Sequence, residues 1–153
     1  MTHAYTPQQI ADMVREGMFA NDHASKNLGM RIREVSPGAA TIEMTVRKDM
    51  LNSFAICHGG FITTLADSTF AFACNSYNHL TVASGLSVEF LAPAQEGDLL
   101  TAVATEVSLT GRTGVYDVEV SNQHGKRIAV FRGRSARLKD RTAVPWPAQN
   151  EQE

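Results

Sequence analysis

The sequence predicts an α+β fold in which one strongly curved antiparallel β-sheet wraps around a single apolar helix. Two observations point there. The stretch from His58 to about Tyr77 is apolar almost all round, with Phe61, Ile62, Leu65, Ala66, Phe70, Ala71, Phe72, Ala73 and Cys74. On both sides of it the hydrophobic period drops to two, and the alternating runs are separated by turn-forming residues. A helix with no polar face must be enclosed by protein, and a sheet with one apolar face is the partner that encloses it.

The elements follow in order. Thr6 to about Asn27 places Ile10, Met13, Val14, Met18 and Phe19 at helical spacing, with Thr6 as cap and Pro7 at the first helical position. Met30 to Val35 and Ala40 to Val46 alternate around Ser36-Pro37-Gly38, which predicts a hairpin. An irregular piece, Arg47 to Cys57, leads into the long helix, whose length of about 27 Å at 1.5 Å per residue is too great for a strand. Four more strands are expected around Val82 to Phe90, Leu99 to Leu109, Tyr116 to Val120 and Ile128 to Val130, joined as an antiparallel meander. One domain is expected over residues 1–153, with its core at about 20–138 and a loosely held tail from Lys139 onward.

Composition narrows the function. The 153 residues are 43% hydrophobic and 20% charged, the balance of a globular chain. No apolar run spans a bilayer and MTHAYTPQQI lacks the order of a secretory signal, so the expected location is cytoplasmic, away from any membrane. Cys57 and Cys74 lack the paired spacings of zinc sites or disulfide frameworks and are expected to be buried thiols; neither metal nor cofactor is called for. The formal net charge is -2, yet from Arg112 to Arg141 eight basic residues stand against three acidic ones, a local excess of +5. That strip suits either a phosphate-bearing ligand or a solvated strand face; the slightly acidic chain and the lack of interleaved aromatics beyond Tyr116 and Phe131 argue against nucleic acid.

Chemistry concentrates on the long helix. Asp67 is the only charged residue between His58 and Tyr77. A carboxylate in such surroundings is costly to bury without a partner, and desolvation raises its pKa toward the range useful in acid–base work. His58-Gly59-Gly60 opens the same helix, where unpaired N–H groups and the positive end of the helix dipole suit a carbonyl oxygen acquiring negative charge. Gly59 and Asp67 lie eight residues apart, about 12 Å along one helix axis, so one carbonyl cannot touch both in a single chain. If both act on one carbonyl, a second subunit's antiparallel helix must bring its Asp67 opposite Gly59, giving two composite sites per dimer.

The runs MLNSFAICHGGFITTLADSTFAFACNSYN, VASGLSVEFLAPAQEGD and TGRTGVYDVEVSNQHGKRIAVFRGRS resemble the hotdog-fold acyl-CoA thioesterases of the PaaI type, associated with phenylacetate degradation, over roughly residues 20 to 138. The resemblance implies hydrolysis of acyl-CoA thioesters such as phenylacetyl-CoA or its hydroxylated relatives. It implies Asp67 as general base or nucleophile and the Gly59 N–H as the group that polarises the carbonyl. It places His58 and Asn52 near the thioester and the attacking water, with Gly60 beside them in the substrate site. It further implies dimers joined sheet edge to sheet edge, many of them paired into tetramers. Some relatives add a partner-chain serine or threonine, for which Ser84 is the nearest match and Ser87 the alternative; Arg112 is a candidate for the coenzyme A phosphates. A thiolate leaves readily, so one carboxylate and one amide suffice, and the chain has no Gly-x-Ser-x-Gly elbow. Rival readings are a hotdog enoyl-thioester hydratase or dehydratase using His58 with Asp67, and a non-catalytic acyl-CoA binding module.

Overall fold

A computed structural model describes residues 4–148. Helix α1, Pro7–Asn21, begins in a reciprocal capping box between Thr6 and Gln9, with proline at its first turn. The chain does not continue as one helix to Asn27. At Asp22 the backbone leaves helical geometry, and the Asp22 carboxylate caps a second helix, α2, His23–Asn27, by accepting from the N–H and the hydroxyl of Ser25 at 3.0 and 2.7 Å. A short acidic side chain able to bond the backbone two to three residues on competes with helix continuation, which is why the expected single helix is two.

Strands β1, Arg31–Ser36, and β2, Ala39–Thr45, form the predicted hairpin, turned at Gly38 with φ of +73°. A single 3-10 turn at Lys48–Met50 precedes α3, Gly59–Asn75. Then come β3, Thr81–Phe90; β4, Leu99–Thr110; β5, Thr113–Ser121; and β6, Arg127–Arg137. Together they make one six-stranded sheet, antiparallel throughout, in the order β1-β2-β4-β5-β6-β3.

That order corrects the expected meander. Strands β4, β5 and β6 are consecutive neighbours, but β3 pairs with β6 rather than with β4. The reason is the long helix between β2 and β3, which carries the chain across the sheet and leaves β4 to return and pair with β2. The link from Leu91 to Asp98 is correspondingly no hairpin turn. It runs back across the end of the sheet, tied by the Cys57 N–H to the Ala94 carbonyl at 2.8 Å.

Helix α3 fills the concave face. Phe70 packs its ring against Tyr116 and Phe131, with centroids 5.5 and 5.9 Å away, and sits so close to Gly133 that a Cβ there would stand 2.8 Å from the ring. A cross-strand row of small and branched residues, Ile42, Ala102, Val120 and Ala129, is buried beneath the helix and ends at Phe90 on the edge strand. The helix covers β3 only in part, so Leu86 and Phe90 of that strand remain 48% and 51% exposed. The helix itself is left half covered along Gly59, Thr63, Asp67 and Ala71, one stripe at four-residue spacing.

The segment after Lys139 is anchored rather than loose as far as it is described. Val144 is buried, donates its N–H to Asn78 Oδ1 at 2.9 Å, and packs where Gly17 has no side chain. Trp146 stacks on Tyr5 with centroids 5.9 Å apart. Val144 and Trp146, one proline apart in a short proline-containing stretch, carry no periodic signal, so the sequence hid this anchor. Residues 149–153 of the expected tail lie outside the described residues. Among those described, no helix is long and apolar enough to cross a membrane.

Candidate active site

His58 is the N-cap of α3, and its Nδ1 accepts from the Gly60 N–H at 3.4 Å. Its own N–H donates to the Met50 carbonyl at 2.7 Å, and the Phe61 N–H bonds back to the His58 carbonyl at 3.0 Å. Of the amides in the first turn, the Gly59 N–H is therefore the one left without an acceptor among the described residues. A free donor at the positive end of a 17-residue helix is a ready site for a carbonyl oxygen.

Asn52 organises the approach to it. Its Oδ1 accepts from the Phe54 N–H at 2.9 Å and from the Ile56 N–H at 3.4 Å, while the Asn52 N–H donates to the Ile56 carbonyl at 2.8 Å. This asparagine turn forces Ala55 to a φ of 59° and leaves the Asn52 Nδ2 with no partner among the described residues. Asn52, Gly59, Ile56, Ile62, Phe90 and Leu91 together line a cleft of about 530 Å³. Asn52 and Gly59 thus border one cleft, while His58 caps the helix beside it without lining it.

Phe90 is the member of this group that the sequence reading did not single out. A Cβ on Gly59 would lie 2.7 Å from Phe90 Cζ, so any larger residue there must displace the aromatic ring or the start of the helix. The signal was present in the alternation of Val82, Leu86, Val88 and Phe90, which puts the last residue on the helix face only when register with β6 is known.

Asp67 does not join this cleft in its own chain. Two turns of α3 separate it from Gly59, about 12 Å along the axis. It is half-buried, and it makes no hydrogen bond or ion pair among the described residues. Burial holds its carboxyl above the ordinary value. The neighbouring hydroxyls are occupied: Thr63 and Thr64 donate to the Gly59 and Gly60 carbonyls, each at 2.8 Å, and Ser68 bonds Ser25 at 2.9 Å. Asp67 is thus an isolated, partly dehydrated carboxylate on a half-covered stripe of the helix.

The remaining expected residues scatter. Ser84 sits at a bulge of β3 and donates to the Arg134 carbonyl at 3.1 Å. Ser87 pairs in register with Arg132 on the sheet face away from α3, in an open groove with Asp117 and Glu119. Arg112 lines a recess of about 200 Å³ with Tyr77, His79 and Arg137 at the far end of α3, not the Gly59 cleft. In the basic strip, Arg132 forms a two-point pair with Asp117 at 2.7 and 2.8 Å and Arg127 bonds Glu119 at 3.0 Å, so part of its charge is answered within the sheet. Both cysteines are buried, and burial pushes the Cys57 thiol up to about 11 and the Cys74 thiol up to about 12, which makes them poor nucleophiles. No group of His, Cys, Asp and Glu suited to a metal occurs among the described residues.

Comparison with known proteins bears on the family and the fold. The model of the thioesterase superfamily matches residues 54–129. The acyl-coenzyme A thioesterase PaaI of Escherichia coli (strain K12) is 46% identical over 121 residues, 79% of this chain and 86% of that protein. The solved structure of E. coli PaaI, from the phenylacetic acid degradation operon, superposes with a TM-score of 0.86 at 42% identity, covering 87% of this chain and 96% of that one. A Streptococcus mutans UA159 protein bound to acetyl CoA superposes with a TM-score of 0.71 at 25% identity, covering 73% of this chain and 90% of the other. The curved antiparallel sheet, the helix it encloses and the extent of identity lead to one conclusion: the chain belongs to the hotdog-fold acyl-CoA thioesterase family of the PaaI type.

Proposed function

We propose that the protein hydrolyses acyl-CoA thioesters, phenylacetyl-CoA or hydroxyphenylacetyl-CoA among them, to the free acid and coenzyme A at sites built between two copies of the chain. The thioester carbonyl oxygen accepts from the Gly59 N–H of one protomer. Asp67 of the other takes a proton from water as it attacks the carbonyl carbon, or attacks that carbon itself to give an anhydride that water then opens. The tetrahedral intermediate collapses by expelling the coenzyme A thiolate, which needs little help from an acid. In this reading the unpartnered Nδ2 of Asn52 holds the attacking water, and His58 fixes the helix entrance through its bond to Gly60.

One observation carries this reading: the unpartnered carboxylate of Asp67 and the free Gly59 amide share a half-covered stripe, too far apart for one substrate. Edge strand β3 supports the dimer, because its ten residues present an unpaired ladder with Leu86 and Phe90 exposed beside that stripe. Pairing two β3 edges about a two-fold axis runs the helices antiparallel and exchanges the positions of Gly59 and Asp67. Two dimers then associate as a tetramer. The acetyl CoA in the S. mutans neighbour and the operon of the E. coli relative support the ligand and the acyl class respectively. The proposed role of Arg112 in holding coenzyme A phosphates is supported by its freedom from carboxylate partners among the described residues.

Mixed dimers test the proposal. Asp67→Asn alone and Gly59→Pro alone should each be nearly inactive on phenylacetyl-CoA; proline is accepted at a first helical position but removes the N–H. Co-folding the two variants should restore activity, since one composite site of each mixed dimer is then intact. Failure of the mixture to regain activity, with mixed dimers shown to form, would place both groups in one chain and end the composite-site reading.

A further inference from the structure

We infer that Phe90 sets the bulk of the acyl group this protein accepts, and that the cleft it borders restricts the acyl group to uncharged chains and rings. The inference rests on the reading that the Gly59 amide receives the thioester carbonyl. A carbonyl bonded to that amide starts its acyl substituent against the Phe90 ring, because the ring lies over the glycine at van der Waals distance.

The lining defines the chemistry. Around the cleft stand Ile56, Ile62, Leu91 and Pro93, with Asn52 as the polar side chain and no lysine, arginine or histidine. An acyl carboxylate entering there loses its water and gains no cation, a cost that a chain ending in methyl avoids. Selection against charge therefore comes from what the cleft lacks.

Phe90, though its ring is half exposed, stands on a fixed stretch of backbone. It closes the cross-strand row Ile42, Ala102, Val120 and Ala129, and the residue after it donates to the Ile128 carbonyl at 2.8 Å. The opposite wall is tied in turn by Cys57 bonding Ala94. With both walls held by backbone bonds, acyl size is met by the ring rather than by movement of the wall.

The test compares wild type, Phe90→Leu and Phe90→Ala on butyryl-, decanoyl-, phenylacetyl- and succinyl-CoA, with thiol release followed by a trapping dye. Melting temperature and oligomeric state are recorded for each. Wild type should favour butyryl- over succinyl-CoA by about tenfold or more in kcat/KM. Trimming Phe90 should raise the decanoyl-to-butyryl ratio by about tenfold, chiefly through KM, with leucine between phenylalanine and alanine. An unchanged ratio in a variant that keeps its assembly overturns the role of Phe90, and equal use of succinyl-CoA overturns the exclusion of charge. A wild type inactive on every thioester would instead sink the hydrolase reading beneath both; the leucine variant serves if alanine disrupts the edge strand.

Discussion

Phe90 and Gly59 fit together as ring and gap: the aromatic carbons occupy the space where any other residue at position 59 would carry its Cβ, 2.7 Å from the ring's Cζ. The pair joins the end of β3 to the start of α3, and so fixes where the free amide points.

Adding a methyl group at Gly59 should therefore misplace the ring or the amide. On acetyl-CoA, Gly59→Ala is expected to lower kcat/KM on the order of 100-fold, since displacements near 1 Å at a reacting group have effects of that size. In a Phe90→Ala background the same substitution should cost little, because the N–H remains and the collision is gone. A double-mutant cycle measures this coupling, and additive effects would show that Gly59 is required for some other reason.

Asp67 gives a prediction of opposite sign for stability and activity. Its carboxyl is raised in the folded chain by burial. A raised folded pKa means that this group favours folding below its unfolded pKa, and that this contribution is lost as pH rises through the folded value. Asp67→Asn removes the titration, so the variant should melt higher than wild type at pH 7 and the gap should close as pH falls toward the ordinary carboxylate pKa. Its hydrolytic rate should be almost abolished, and in wild type the rate should fall as acid protonates the carboxylate. Calorimetry across pH 3 to 8 checks the first part; a lower melting point for the variant at neutral pH would mean Asp67 has a stabilising partner in the assembled protein.

Val144 should matter to stability and not to chemistry. Its side chain fills the space over Gly17 and its N–H is held by Asn78, far along the chain from the Gly59 cleft. Val144→Ala is expected to destabilise the fold by about 2 kcal/mol, with KM unchanged. Urea unfolding measures it, and a loss below a few tenths would mean the segment after Arg141 is not held in solution.

The sequence was most readable where one physical demand acted alone. An apolar stretch of helical length with a single acid can only be an enclosed helix, and α3 is that helix. The Ser36 to Gly38 turn likewise admitted one hairpin. Strand order was not readable, because β3 and β4 are each amphipathic and adjacent in the chain, yet the neighbour each takes is decided by where α3 delivers the backbone. The site divides the same way. Asp67 and the His-Gly-Gly turn announce themselves by residue type in a discordant setting, whereas Phe90 is one of several alternating apolar residues and gains its meaning from register alone.

The turn from Asn52 to His58 is stitched at three points, through Ile56, Ala94 and Met50, with backbone bonds of 2.7 to 2.8 Å. A rim fastened in this way makes a poor lid. Substrate should find its notch already cut, so ordering of the rim adds little entropy loss to binding and no loop opening need precede product departure. Turnover is then limited by bond breaking rather than by motion of the rim, and should respond only weakly to solvent viscosity.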